Sequence, residues 1–237
     1  MSDLPQAIDI FEEGPREGFQ IEKGPITTAD KIALIDALSL TGLKHIQVVS
    51  FVNQELVPGW ADAEAVVAGF AARPGVDFAA LWFNEAGLNR ALAFRHKLAI
   101  RGSISLSASE AFSRQNLNRD RAGQIEAMRR QTAAHLAAGV PVTRIGVMAA
   151  FGCNYAGDIS PAQVIATVED GLRIAAEAGV AIETLSLADT MGWATPARVA
   201  SLVGEVRLAD CSKWGAPPDF GLTHFAPIHD PRRLSKG

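Results

Sequence analysis

The sequence predicts a parallel α/β protein, because short β-rich runs alternate with longer amphipathic runs along most of its 237 residues. Crossover helices return each following strand to the same end of the sheet, which favours parallel pairing. The spacing of about 30 residues per strand and helix is the size of one βαβ unit. Gly42, Gly139 and Gly179 lie where predicted helices end, and a predicted strand follows each of them.

Six runs are predicted strands, since each is short and rich in β-branched or other apolar residues. In chain order they are residues 8–11, 45–51, 76–83, 98–106, 144–149 and 182–188. The clearest amphipathic runs are predicted helices at residues 28–41, 62–72, 121–138, 161–178 and 196–206. Ser160 before Pro161 and Thr195 before Pro196 supply a capping hydroxyl followed by a proline at the first helical position.

Six units and the remaining tail approach an eightfold barrel without completing it, since a full (β/α)₈ domain takes about 250 residues. We therefore expect an incomplete (β/α)₈ TIM barrel of about six to seven strand–helix units. The barrel domain is predicted over residues 1–207, and residues 208–237 form a divergent tail that could contain a degenerate seventh strand.

The composition excludes several classes of protein. The net charge is -4 and the sequence pI is about 5.7, which gives no electrostatic reason to expect nucleic acid as a partner. The first residues lack the pattern of a secretory signal, and no apolar run is long enough to cross a bilayer. Only Cys153 and Cys211 are present, too few for a disulfide scaffold. We expect a cytoplasmic protein with no membrane partner.

The segment Gly-Pro-Arg-Glu-Gly-Phe-Gln at residues 14–20 directly follows the first predicted strand and reads as a turn. Catalytic groups of parallel α/β proteins lie beyond the carboxyl ends of strands. Arg16 and Glu17 therefore occupy the place of an oxyanion-stabilising cation and a metal-binding acid. The alternative is a surface ion pair on a loop, which is common and weak.

Four further segments follow strand ends and carry polar groups. Together with residues 14–20 they resemble the hydroxymethylglutaryl-CoA lyase branch of the metal-dependent lyase TIM barrels, over roughly residues 8–206. The five matching segments, in order, are Gly-Pro-Arg-(acid)-Gly-(apolar)-Gln at 14–20, Ser-Phe-Val with Val-Pro at 50–58, Ala-Ser-Glu-Ala-Phe at 108–112, Phe-Gly-Cys-Asn-Tyr-Ala-Gly at 151–157 and Ser-Leu-Ala-Asp-Thr-Met-Gly at 186–192.

The resemblance implies a carbon–carbon lyase that cleaves 3-hydroxy-3-methylglutaryl-CoA, or a related 3-hydroxyacyl-CoA thioester, to acetyl-CoA and a keto acid. It implies that Arg16 stabilises the enolate and that Glu17, where the family usually has Asp, binds a divalent metal. Oxygen ligands suit Mg²⁺ or Mn²⁺. Asp189, in the fifth segment, is the second candidate catalytic residue, although an Asp there can also cap the next helix.

The substrate-binding candidates are Gln20, Gln47 and Ser109. Gln47 stands where the lyases commonly have Glu, and an amide can orient Arg16 but cannot act as a base. Ser109 belongs to a polar segment, residues 107–118, that we interpret as a substrate-side or structural loop. Cys153 is not expected to be a nucleophile, because no His partner is predicted beside it.

The seventh-strand signature of the family, His-x-His, has one counterpart here, at residues 227–233. His229 is the remaining candidate metal ligand, and Pro227 replaces the first His. The resemblance thus implies a shortened or disrupted lyase, which we expect to form a homo-oligomer that covers open sheet edges. Two alternatives stay open: a non-catalytic remnant that binds a CoA ester or a sister subunit, and an aldolase or Claisen synthase of the same superfamily.

Overall fold

The computed structural model describes residues 9–22, 24–209 and 219–223. The chain divides into two compact units, Met1–Ile100 and Arg101–Gly237. Each unit contains one sheet, and every strand pair in both sheets is parallel. No described helix is long and apolar enough to cross a membrane.

The first unit has a sheet of order β1-β2-β3. Its strands are β1 (Phe11–Glu12), β2 (His45–Ser50) and β3 (Asp77–Leu81), and its helices are α1 (Gly14–Ile21), α2 (Thr28–Leu38), α3 (Ala63–Gly69) and α4 (Glu85–Leu92), with a 3₁₀ turn at Pro58–Trp60. Thr27 begins α2 by accepting a hydrogen bond from the backbone N–H of Asp30. Ile46, Val48 and Phe78 are among its fully buried core residues.

The second unit has a sheet of order β4-β5-β6-β7. Its strands are β4 (Gly102–Ser107), β5 (Val142–Met148), β6 (Thr184–Ala188) and β7 (Asp219–Thr223), and its helices are α5 (Glu110–Leu117), α6 (Arg121–Ala137), α7 (Pro161–Ala178) and α8 (Pro196–Leu208). Gly171 of α7 lies against Ile145 of β5, since a Cβ atom on this glycine would come within 3.0 Å of the Ile145 side chain.

The two faces of this second sheet differ in polarity. Ile145 and its neighbours Ile104 and Leu185 are buried on the face that α7 covers. Successive strand residues point to opposite faces, so Arg144 and Ser186 lie on the other one. There the Arg144 Nη2 donates to Ser186 Oγ at 2.9 Å. The helix-covered face is therefore the apolar core, and polar groups occupy the opposite face.

All six predicted strands form, with shifts of a few residues at their ends. The predictions for two segments are wrong. Residues 14–20 form helix α1 and not a turn, because Gly-Pro also begins helices: Pro15 lies in the first helical turn, where its missing N–H costs nothing. Residues 110–117 form helix α5 and not a loop, because Ser109 caps it by accepting from the Phe112 N–H.

The predicted tail contains one described strand. β7 pairs in parallel with β6, from Thr184 opposite Asp219 to Ala188 opposite Thr223. The segment at 227–233 that carries His229 lies outside the described residues.

Candidate active site

Arg16 lies in the first turn of α1, directly beyond the carboxyl end of β1. Its side chain is only 11% exposed. The guanidinium donates from Nε to Gln47 Oε1 at 2.5 Å, from Nη2 to Glu13 Oε2 at 2.9 Å, and from Nη1 to Glu17 Oε2. Arg16 and Glu17 form the ion pair that the alternative expects. It differs from that alternative in two ways: the residues lie on a helix and not on a loop, and the guanidinium is largely buried.

The local sequence explains why this arginine needs so many partners. The N-terminus of a helix carries a partial positive charge, which disfavours a cation in the first turn. Glu13 and Glu17, three residues before and one residue after Arg16, supply two carboxylates that offset this cost. Gln47 adds a neutral acceptor from β2. The arginine is thus fixed by residues from both a helix and a strand.

Glu17 is the most exposed of these partners, with 46% of its side chain accessible. An exposed carboxylate is the kind of oxygen donor that Mg²⁺ and Mn²⁺ bind, so the chemistry of Glu17 fits one ligand position. Among the residues that the structure describes, no group of three or more His, Cys, Asp or Glu side chains could hold a metal ion. The other predicted ligand, His229, falls outside them.

Gln20 lies near the end of α1 and borders a cavity of about 630 Å³ in the first unit. The cavity walls are mostly apolar and include Phe19, Leu56 and Val57. Lys31 also lines this cavity, and its Nζ donates to Gly59 O and to an Asp62 carboxylate oxygen, both at 2.6 Å.

Ser109 is buried at the carboxyl end of β4. Its hydroxyl accepts from Phe112 N at 3.2 Å and donates to Cys153 Sγ at 3.0 Å. Cys153 is itself fully buried. Ser109 is therefore the N-cap of α5, and its hydrogen bond to Cys153 links this helix to the segment after β5.

Asp189 is buried directly after β6, with 1% of the residue exposed. Its carboxylate accepts from Trp193 N at 2.8 Å and from Ala194 N at 3.0 Å. These bonds shape the segment between β6 and α8. The alternative that Asp189 caps the next helix is wrong, because Thr195 is the N-cap of α8 and accepts from Arg198 N.

Trp193 joins two segments that follow neighbouring strands. Its ring packs on Gly152, where a Cβ atom would come within 2.5 Å of Trp193 Cδ2. Its Nε1 donates to Asn154 Oδ1 at 2.8 Å. The Trp193 side chain therefore links the segments after β5 and β6 through ring packing and one hydrogen bond.

The structure thus brings Arg16, Glu17 and Gln47 into direct contact in the first unit, with Gln20 on the same helix. Ser109 and Asp189 belong to the second unit, and each is held by its own backbone partners. Sequence reasoning missed Glu13. Its spacing of three residues from Arg16 brings two side chains together only on a helix, and residues 14–20 were expected to form a turn.

Comparisons with known proteins give consistent matches. A family model described as HMGL-like matches residues 7–212 of this chain. The chain is 36% identical over 203 residues to the "3-hydroxy-3-isohexenylglutaryl-CoA/hydroxy-methylglutaryl-CoA lyase" of Pseudomonas aeruginosa, a match that covers 86% of this chain and 64% of that protein. The chain thus spans about 64% of the length of this curated relative.

Two solved structures are similar over most of this chain. A hydroxymethylglutaryl-CoA lyase from Pseudomonas aeruginosa superposes with a TM-score of 0.77 at 33% identity, covering 94% of this chain and 69% of that one. An HMG-CoA lyase from Acinetobacter baumannii, solved with coenzyme A and 3-methylmalate, has a TM-score of 0.74 at 27% identity, covering 94% and 68%.

Proposed function

This chain belongs to the HMGL-like family, and from that premise we propose that it cleaves 3-hydroxy-3-methylglutaryl-CoA, or a related 3-hydroxyacyl-CoA, to acetyl-CoA and a keto acid. The observation that carries the proposal is the buried guanidinium of Arg16 beyond the carboxyl end of β1, fixed by Gln47 and two carboxylates. Relatives that are named for this activity, one of them solved with coenzyme A, support it.

In this reaction a base takes the proton of the tertiary hydroxyl, and the adjacent carbon–carbon bond breaks. Its electron pair moves to the thioester as an enolate, which then takes up a proton. Arg16 donates hydrogen bonds to the enolate oxygen, and its positive charge stabilises the negative charge that develops there. Gln20, Gln47 and Ser109 are the proposed substrate contacts. Asp189 is the second proposed catalytic residue, through contact with the substrate or with the groups around the metal.

A divalent cation is part of the proposal, with Mg²⁺ or Mn²⁺ as the candidates and Glu17 and His229 as ligands. When bound, it polarises the hydroxyl and carboxylate oxygens of the substrate. The exposed carboxylate of Glu17 supports this role, since it can turn from Arg16 toward a cation without disrupting a core.

The test is acetoacetate formation from 3-hydroxy-3-methylglutaryl-CoA by the purified chain with Mg²⁺ or Mn²⁺. We expect Arg16→Ala to lower kcat by about 10²–10³-fold, the usual effect of removing an oxyanion-stabilising donor. Arg114→Ala is the matched control, because Arg114 is an exposed arginine paired with Glu110. Absence of turnover with either metal, or an equal loss in both variants, would contradict the proposal.

A second candidate is a protein that binds a CoA ester without turnover. The amide of Gln47 favours it, since this residue contacts Arg16 where the lyases commonly have an ionisable Glu. Calorimetric titration with a CoA thioester distinguishes the two functions: binding without product formation would support the second and contradict the first.

We also propose a cytoplasmic location and a homo-oligomeric state. The presence of only two cysteines supports a reducing compartment. Light scattering on the purified chain would check its oligomeric state, and a monomer at micromolar concentration would contradict that part.

A further inference from the structure

The three partners of Arg16 differ in charge and in exposure. Gln47 is neutral and binds Nε, whereas Glu13 and Glu17 are carboxylates that bind Nη2 and Nη1. Glu13 has 23% of its side chain exposed and Glu17 has 46%. Because Glu17 is the more exposed carboxylate, it can break its contact with Arg16 with less change in the surrounding packing than Glu13 can.

If Glu17 moves away from Arg16, the guanidinium loses its partner at Nη1. Under the proposed function Glu17 turns to a cation, and the Nη1 edge of Arg16 then receives the substrate oxyanion. Of the three side-chain partners, Gln47 and Glu13 remain, and Glu13 is the only one of the two that carries a charge. A positively charged side chain in the first turn of a helix is disfavoured by the helix dipole, and a nearby carboxylate offsets this cost.

We propose that Glu13 is a positioning residue for Arg16, holding its Nη2 edge so that the guanidinium keeps its orientation when Glu17 turns away. The proposal rests on the proposed function, because it assumes that Arg16 receives an oxyanion. A planar guanidinium held at both Nε and Nη2 cannot swing about one bond, whereas a guanidinium held at Nε alone can.

Glu13→Gln removes the charge and keeps the shape. The readout is the exchange rate of the Arg16 Nε–H with water, measured by NMR and assigned by its loss in Arg16→Lys. We expect Glu13→Gln to speed this exchange about five-fold, as loss of a partly exposed ion pair would. Glu12→Gln is the matched control, because the Glu12 carboxylate accepts from Gly14 N instead. In this variant the Arg16 Nε–H should exchange at the wild-type rate.

Gln47→Glu provides the rescue. In the Glu13→Gln background it places a carboxylate on Nε, so the exchange should return toward the wild-type rate. A rate that stays fast in this double variant would show that charge is not what Glu13 supplies, and would overturn the proposal. An unchanged rate in Glu13→Gln, or an equal change in Glu12→Gln, would overturn it too.

Glu13→Asp covers the case in which Glu13→Gln does not fold. It keeps the charge but shortens the reach by one methylene, so exchange should speed up less than in Glu13→Gln and not at all if Glu13 has no such role. The NMR measurement needs neither metal nor substrate. A chain with the expected exchange rates but no acetoacetate formation would contradict the proposed function and leave this inference standing.

Discussion

His135 is a buried histidine through which pH affects the stability of this protein. It lies on α6 with 1% of the residue exposed, and burial lowers its pKa below the ordinary value. The unfolded chain therefore binds a proton more readily than the folded chain does. Stability is complete above the ordinary histidine pKa and is lost as pH falls below it, until the lowered pKa is reached.

We expect the free energy of unfolding to fall between pH 7 and pH 5, by up to about 1.4 kcal/mol per pH unit from this residue. His135→Gln has no side chain that titrates at this position. The free energy of unfolding, measured by urea unfolding at each pH, should therefore fall less steeply with falling pH in this variant. His96→Gln, at an exposed position, is the control and should keep the slope. An unaltered slope in His135→Gln would count against the prediction.

Between elements, Arg90 ties helix α4 to two other parts of the first unit. Its guanidinium binds the Glu64 carboxylate of α3 at 2.5 and 2.9 Å and donates to Val52 O, just beyond β2, at 3.0 Å. This guanidinium holds the pKa of Glu64 below its usual value, so their pairing contributes stability above that value and loses it as pH falls.

Arg90→Ala should lower the free energy of unfolding by about 1 kcal/mol, since the pair is partly exposed. It should also speed backbone hydrogen exchange in residues 53–57, because Val52 loses its anchor. Arg90→Lys should not restore slow exchange, as a lysine cannot reach three acceptors in one plane. The comparison variant is Arg130→Ala, which breaks an exposed pair with Glu126. Equal exchange in all variants would refute the anchoring role.

Packing between the segments after β5 and β6 predicts a second element-scale effect. Gly152→Ala would push a methyl group into the Trp193 ring, and we expect destabilisation of about 1–3 kcal/mol in thermal or urea unfolding. Gly204→Ala lies in α8 with no neighbouring atom in the way, and should stabilise by about 0.5–1 kcal/mol. Similar effects at both positions would contradict the contact.

Local signals explain which elements were predictable. Helix α7 has the predicted bounds because Ser160, Pro161 and Gly179 mark both ends within a few residues. Helix α1 was missed because Gly14-Pro15 signals a turn and a helix start equally well. Arg16 could be placed from its position after a strand, whereas the role of Glu13 depends on side-chain geometry that spacing does not determine.

At the scale of the whole molecule, the predicted fold class is confirmed. The parallel pairing of every described strand and the two lyase structures agree with an incomplete (β/α)₈ barrel. The division at residue 207 stays a prediction. The regular alternation of strands and helices is enough to predict a parallel α/β fold, because each unit repeats the same pattern. It does not show which side chains at the strand ends will contact one another.

The proposed metal binding can be tested on the whole molecule, because a ligand that binds only the folded chain raises its free energy of unfolding. If Glu17 is a ligand, Mn²⁺ at about 100 times its Kd should raise the free energy of unfolding by about 2.7 kcal/mol. Glu17→Gln should weaken or abolish that gain, whereas Glu55→Gln, at an exposed position, should keep it. A melting temperature that Mn²⁺ does not change in the wild-type chain would contradict metal binding.

The indole of Trp193 offers a built-in optical reporter. Its N–H is bonded to Asn154, and its ring rests on Gly152, while the Trp60 indole is wholly enclosed elsewhere. Separation of the two segments would wet the Trp193 ring and move its fluorescence to longer wavelength. The chain has three other tryptophans, so the difference in fluorescence between the wild-type chain and Trp193→Phe would report the opening of this part of the protein.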